Sequence, residues 1–334
     1  MNVRFFNPGL GYLRIKDEVD REMQRVLEHG DLILRKDVDD FEDNLKLFLH
    51  KNYAVAVASG TDALILTLKA LGIGRNDEVI VPSYTFRATV EAVHHVGAKP
   101  VLADLGKDWR DYRTNNTKAV IPAHIAGELL SWTPDPELIF IEDSAQAIGA
   151  GDVGGIAQCY SFYPAKILGC YGDGGAVVTN DKTLADRVRL LRNHNKGDWK
   201  DFGYNSRLDN LQAAVLNVKI KNLAQDLKRR KEIAEFYDLH LQDISVIQLP
   251  KSRGVYQDYI IDCMTESAAV GLKKFLGDAG VEVMTNGYPF PTETPKQPLA
   301  EAYESRSLRI PCNVELTNQE ITYVASKIKE FFGK

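Results

Sequence analysis

Tyr53-Ala54-Val55-Ala56-Val57-Ala58-Ser59-Gly60-Thr61-Asp62-Ala63-Leu64 passes from an apolar run into a helical pattern with no linker between them. Residues 53–58 read as a strand. Leu64, Leu68 and Leu71 then fall on one face of a helix over 62–71. The turn is made of small and hydroxyl residues. Gly60 lets the backbone approach a ligand closely, and the free N–H groups of a first helical turn favour an anion. Taken alone, Ser59 reads equally well as an ordinary helix cap.

The same alternation continues along the chain. Residues 78–81, 99–103, 118–122, 138–141, 158–162 and 176–179 read as strands, and 86–96 and 182–192 as helices. Apolar strands between helices predict an α/β fold with a buried, mostly parallel central sheet flanked by helices on both faces. In such sheets ligands bind beyond the carboxyl ends of strands. Ser59, Asp143, Ser161 and Lys166 all follow strand ends. Residues 209–241 are helical and charged. Short strands such as 259–263 and helices at 268–279 and 318–332 then predict a smaller C-terminal α/β domain. The division is read as 1–225, a large domain with an N-terminal arm, and 226–334. The proline-rich stretch 288–298 reads as a loop.

Composition sets limits. The chain has 334 residues, 44% hydrophobic and 26% charged, with a net charge of −5. That is enough for a large core. It gives no reason to expect a nucleic acid or an anionic membrane as partner. No signal peptide or spanning segment is read. The cysteines Cys159, Cys170, Cys263 and Cys312 form no CxxC pair, so no metal site is expected and a reducing cytoplasm is the default. His94 and His95 read as structural. His194 is open to either reading.

The chemistry lies in three pieces. Lys166 ends Ser161-Phe162-Tyr163-Pro164-Ala165-Lys166 and is followed by Gly169, Gly172, Gly174 and Gly175. A lysine in a tight loop can be held buried with its pKa lowered. Asp143, after an apolar strand, can pair with a protonated ring nitrogen; a helix cap or surface ion pair would explain it as well. The Ser59–Gly60–Thr61 turn can take a phosphate. Singly these are weak signals. In this order they are what a chain needs to hold pyridoxal 5′-phosphate (PLP).

Further runs carry a resemblance. These are Pro82-Ser83-Tyr84-Thr85-Phe86-Arg87-Ala88-Thr89, Glu142-Asp143-Ser144-Ala145-Gln146, and Asn205-Ser206-Arg207-Leu208-Asp209. With the pieces above, over residues 18–237, they resemble the DegT/DnrJ/EryC1/StrS family. These are PLP-dependent sugar aminotransferases of the aspartate-aminotransferase fold. The resemblance implies Lys166 as the lysine that bonds the cofactor and shuttles protons, Asp143 at the ring nitrogen and Gln146 at the ring hydroxyl. It implies Ser59, Gly60, Thr61 and Ser161 around the phosphate, with Phe86 stacked on the ring. It implies Asn205 reaching the phosphate of a neighbouring subunit, hence a homodimer with shared sites. His124, Tyr163, Arg207 and Tyr288 are candidates for the substrate side.

The implied reaction moves an amino group from an amino acid, L-glutamate in the family, to a nucleotide-linked keto-sugar. Asp173 and the Asn205 run lean to the C3 position. The acceptor side departs from the family. The segments 104–117 and 193–202 are short, and Gly287-Tyr288-Pro289 stands where relatives read His-Tyr-Pro. A smaller phosphorylated ketone, or a non-catalytic regulatory role, are the alternative readings.

Overall fold

The computed structural model describes residues 1–198, 201–245, 254–290 and 294–333. Three helices come first, α1 (Pro8–Arg14), α2 (Lys16–His29) and α3 (Lys36–Phe48). The alternating stretch follows as β1 (Tyr53–Val57), α4 (Gly60–Ala70), β2 (Glu78–Pro82), α5 (Arg87–His95), β3 (Lys99–Ala103) and β4 (Thr117–Val120). It ends with β5 (Ile139–Asp143), β6 (Ala157–Ser161), β7 (Gly175–Thr179) and α6 (Lys182–Leu191).

These strands form one seven-stranded sheet in the order β1-β7-β6-β5-β4-β2-β3. All pairs from β6 to β3 are parallel, while β7 runs antiparallel to both β1 and β6. The mostly parallel sheet read from the sequence is therefore present, with β7 as the one reversed strand.

Side-chain parity explains why the strands read as unbroken apolar runs. Val55 and Val57 of β1 and Val177 of β7 pack on one face with Leu64, Leu68 and Val188. Ala54, Ala56, Ala176 and Val178 pack on the other with Phe41, Leu45 and Leu216. Successive strand residues point to opposite faces, and here both faces are covered.

The remaining chain supplies α7 (Asn210–Lys219), α8 (Leu223–Leu241), β8 (Tyr259–Asp262), α9 (Glu266–Asp278), β9 (Met284–Thr285), α10 (Pro298–Arg306), β10 (Ser307–Ile310) and α11 (Asn318–Phe331). The strands make a second, three-stranded antiparallel sheet in the order β8-β10-β9. Its core joins Tyr237, Tyr259, Ile261, Leu272, Leu308 and Val324. Helix α8 joins the two cores: Leu223 packs with Phe41 and Leu45, whereas Ile233 and Tyr237 lie in the second cluster. The chain start belongs to the second core too. Val3 is fully buried there, and its N–H donates to Gly280 O at 2.8 Å.

Strand and helix positions in the first half agree with the sequence reading to within a few residues. Strand β5 extends through Asp143 rather than stopping before it. Helices α1 to α3 and α10, and strands β9 and β10, were not read from the sequence. Pro298, taken as part of a loop, is the first-turn proline of α10. Residues 291–293 of that loop, and residues 199 and 200 of the shortened 193–202 segment, lie outside the described residues. Among the described residues no helix is long and apolar enough to cross a membrane.

Candidate active site

The turn between β1 and α4 builds one end of the site. Ser59 caps α4: its Oγ accepts from Asp62 N at 3.0 Å and its carbonyl from Ala63 N at 3.0 Å. The N–H groups of Gly60 and Thr61, one and two places into the helix, have no carbonyl behind them to bond. They stand where the helix dipole favours an anion. Ser206 fastens this turn, accepting from Ala58 N at 3.2 Å and donating to Asp62 Oδ2 at 2.6 Å. Glycine is required at 60, because a Cβ there would lie 2.7 Å from Ser161 Cβ. It is required at 175 as well, where a Cβ would lie 2.3 Å from the Ser59 carbonyl carbon.

Asp143 is the last residue of β5. Pleating turns its side chain away from that of Glu142. Asp143 lines a large cavity, while Glu142 is fully buried and accepts from Gly155 N at 2.8 Å and Val153 N at 3.2 Å. Asp143 Oδ2 accepts from Thr89 Oγ1 at 2.6 Å, and Oδ1 accepts from Ala145 N at 3.2 Å. Thr89 Oγ1 lies 2.7 Å from Thr85 Oγ1, so Thr85 can donate to Thr89 while Thr89 donates to Asp143. Thr85 and Thr89 are fully buried.

Lys166 follows β6 on a loop folded back on itself. Its N–H donates to Tyr163 O at 2.8 Å, and Cys170 N donates to Phe162 O at 2.8 Å. Its side chain enters the same cavity as Asp143 and the α4 terminus. Among the described residues its Nζ makes no hydrogen bond or ion pair. Burial pushes the amine below the ordinary lysine value, opposed by the carboxylates of Asp258 and Asp143 and assisted by Arg309.

The cavity has a volume of about 720 Å³. Phe86, 48% exposed, stands at its mouth with its ring edge-on to Tyr288 at 5.7 Å. Gln146 is held by Ala126 N, which donates to its Oε1 at 2.7 Å; its Nε2 reaches Tyr288 OH at 3.4 Å. Arg309, on β10, also donates to Tyr288 OH at 3.4 Å and pairs with Asp258 at 3.3 Å. Its guanidinium lies 5.2 Å from the Tyr288 ring centre. Thr89, Gln257, Asp258 and Arg309 were not singled out in the sequence. Thr89 stood within a quoted motif. The other three lie in the unit built on the three-stranded sheet, Gln257 and Asp258 just before β8 and Arg309 on β10, and no local pattern marks them.

Four candidates need comment. His124 forms part of the cavity wall, but its polar atoms are engaged. Nδ1 accepts from Leu130 N at 3.1 Å, so Nε2 carries the proton and donates to Glu142 Oε2 at 3.0 Å. Both ring nitrogens thus have partners within the chain, and His124 faces the cavity with its ring. Arg207 does not line the cavity of its own chain; it donates to Asn193 Oδ1 at 3.2 Å. Asn205 is exposed and also lies outside the cavity lining. Tyr163 lines the cavity and is 55% exposed. Among the described residues no cluster of three or more His, Cys, Asp or Glu is arranged to hold a metal.

The sequence profile of the DegT/DnrJ/EryC1/StrS aminotransferase family matches residues 13–329, and the chain belongs to that family. It is 35% identical to the erythromycin biosynthesis sensory transduction protein EryC1 of Saccharopolyspora erythraea, over 98% of this chain and 99% of that protein. It is also 35% identical to the UDP-2-acetamido-2-deoxy-3-oxo-D-glucuronate aminotransferase of Pseudomonas aeruginosa, over 94% of this chain and 96% of that one. Among solved structures, Streptomyces venezuelae DesV in complex with a ketimine intermediate superposes with a TM-score of 0.91 at 32% identity, covering 100% of this chain and 99% of that one.

Proposed function

We propose that this aminotransferase uses PLP to move an amino group from an amino-acid donor, L-glutamate, to C3 of a nucleotide-linked keto-sugar. The observation that carries this reading is the unpaired, half-buried Lys166 amine in one cavity with Asp143 and the open N-terminus of α4. The donor set fits the cofactor. Gly60 and Thr61 N–H, with Ser59 and Ser161 hydroxyls, would hold the phosphate. Asp143 would hold the ring nitrogen, Gln146 the ring hydroxyl, Phe86 a ring face and Lys166 the aldehyde carbon.

When bound, the cofactor supplies an aldehyde that takes the amino group and a cationic ring that acts as an electron sink. The residues do the rest. Asp143, braced by Thr89, would set its carboxylate against the ring nitrogen and favour the protonated ring. Lys166 Nζ, its proton affinity lowered by burial, accepts the proton from the donor's Cα and in the second half-reaction delivers one to the acceptor's keto carbon. Tyr288 and Phe86, in edge-on contact, narrow the mouth of the cavity.

The relative that acts on a 3-oxo sugar nucleotide supports the C3 assignment. The cavity volume of about 720 Å³ supports an acceptor larger than a small phosphorylated ketone. The exposure of Asn205, away from its own chain's cavity, supports a homodimer in which it reaches the partner's phosphate site. Four free, buried cysteines suit a cytoplasmic setting. The test is a coupled assay of purified protein with L-glutamate. Keto-acid release that depends on a nucleotide-linked 3-keto sugar supports the proposal; release with small keto-phosphates but not with sugar nucleotides overturns the acceptor.

A further inference from the structure

Lys166 sits on a loop of the first unit, yet the groups that fix its peptide neighbours come from the second. Gln257 lies just before β8 and is buried. Its Nε2 donates to Ala165 O at 2.8 Å, and its Oε1 accepts from Ile167 N at 3.0 Å. One side-chain amide therefore holds both peptide groups that flank Lys166, and its carboxamide serves because one bond needs a donor and the other an acceptor.

Gln257 is itself held rigidly. Arg230 NH1 donates to the carbonyls of Tyr256 and Gln257, each at 3.0 Å, and to Cys312 O at 2.6 Å. Val255 N donates to Gly127 O at 3.0 Å, beside Ala126, whose N–H fixes Gln146. Gly127 has no room for a side chain: a Cβ would lie 3.0 Å from Gln257 N. The segment thus ties Lys166, Gln146 and the second unit into one connected set.

We propose that Gln257 is the positioning residue for Lys166, aiming its amine into the cavity by clamping the peptide groups on either side. The inference rests on the reading of Lys166 as the cofactor-bonding amine. Without the clamp the loop relaxes and the amine gains water. The charged groups that act on Lys166 are Asp258, Asp143 and Arg309, and Arg230 lies beneath Gln257 itself.

The test uses two variants, Gln257→Met, of similar length with neither bond, and Gln257→Glu, which keeps the acceptor for Ile167 N. Protonated, the glutamate can also donate to Ala165 O; ionised, it cannot. The readout is the labelling of Lys166 in the cofactor-free protein by acetic anhydride against pH, followed by peptide mass spectrometry, with exposed Lys107 as internal reference. In the wild type Lys166 titrates below Lys107. In Gln257→Met its midpoint moves up by about one unit or more towards the ordinary lysine value. In Gln257→Glu the labelling of Lys166 shows an additional acid-side transition that the wild type lacks. A Lys166 midpoint unchanged in both folded variants overturns the proposal. If Gln257→Met does not fold, the presence or absence of the acid-side transition in Gln257→Glu decides. A wild-type Lys166 that titrates with Lys107, or a cofactor that maps to another lysine, defeats the underlying reading instead.

Discussion

Thr89 Oγ1 donates to Asp143 Oδ2 at 2.6 Å, across the gap between α5 and β5. Phe86, at the cavity mouth, caps the same helix, and Thr89 lies three residues into it. One turn of α5 therefore sets both an aromatic ring at the mouth and the brace for the carboxylate. Thr89→Val keeps the shape and removes the donor. A hydrogen bond to a charged group is worth about 1.5–3 kcal/mol, so kcat should fall about tenfold to a hundredfold. Steady-state kinetics with the fold checked by circular dichroism measures this. An unchanged kcat would mean that Asp143 needs no brace.

Asp143→Asn keeps the shape but loses the charge that holds the ring nitrogen protonated. The loss of transition-state stabilisation should be about 2–4 kcal/mol, the scale for removing one buried electrostatic partner. It should exceed that of Thr89→Val. Near-wild-type turnover would reduce Asp143 to a structural residue.

Gly60→Ala tests the phosphate end. The new methyl would lie 2.7 Å from Ser161 Cβ and 3.2 Å from Ser161 Cα, so the turn or β6 must shift. Cofactor affinity should fall at least about tenfold, a change of about 1.4 kcal/mol, while the sheet stays folded. Equilibrium dialysis against PLP measures it. Unchanged affinity would place the phosphate elsewhere.

Lys166 carries a pH signature in the cofactor-free protein. Its folded pKa lies below the unfolded value of a lysine. Below the folded pKa both states carry the proton, and the buried charge costs the folded state its full stability penalty. That cost is relieved as pH rises from the folded pKa towards the ordinary lysine value. Cofactor-free Lys166→Met should therefore melt higher than the wild type at neutral pH, with the gap closing as pH rises towards 10.5. A gap that is constant or grows with pH would contradict the assignment.

Assembly has its own test. In the proposed homodimer each site takes Lys166 from one chain and Asn205 from the other, so Lys166→Ala and Asn205→Asp would each disable a different part of it. Mixed dimers should carry one intact site and one with both defects. With random pairing about half of the dimers are mixed, and activity should recover to roughly a quarter of wild type. No recovery from demonstrably mixed dimers would confine Asn205 to its own subunit, or exclude it from the site.

The strands of the first sheet were legible because both faces are buried. Val55 and Val57 on one side and Ala54 and Ala56 on the other leave no polar alternation to confuse them. Ser59, Asp143 and Lys166, read from the sequence as neighbours in space, do line one cavity, because each stands at or beyond the carboxyl end of a strand. What escaped was fixed by distant partners. Helix α10 begins at Pro298, yet its first N–H groups are satisfied by Asp104, which accepts from Leu299 N at 3.2 Å and Ala300 N at 3.0 Å. Nothing near residue 298 announces that cap. Arg309 and Gln257 enter the cavity for the same reason, through the packing of the second unit. The partners of His124 were equally hidden from the sequence: Leu130 and Glu142, six and eighteen residues on, take its two nitrogens.

The central claim is that Lys166 bonds the cofactor. Reduction of the purified enzyme with borohydride, followed by digestion and mass spectrometry, reads this out directly. The account predicts a pyridoxyl-phosphate adduct on the peptide that carries Lys166, and none in Lys166→Ala. An adduct on any other lysine of the wild type, such as Lys219 with its amine near a pKa of about 8, would contradict it.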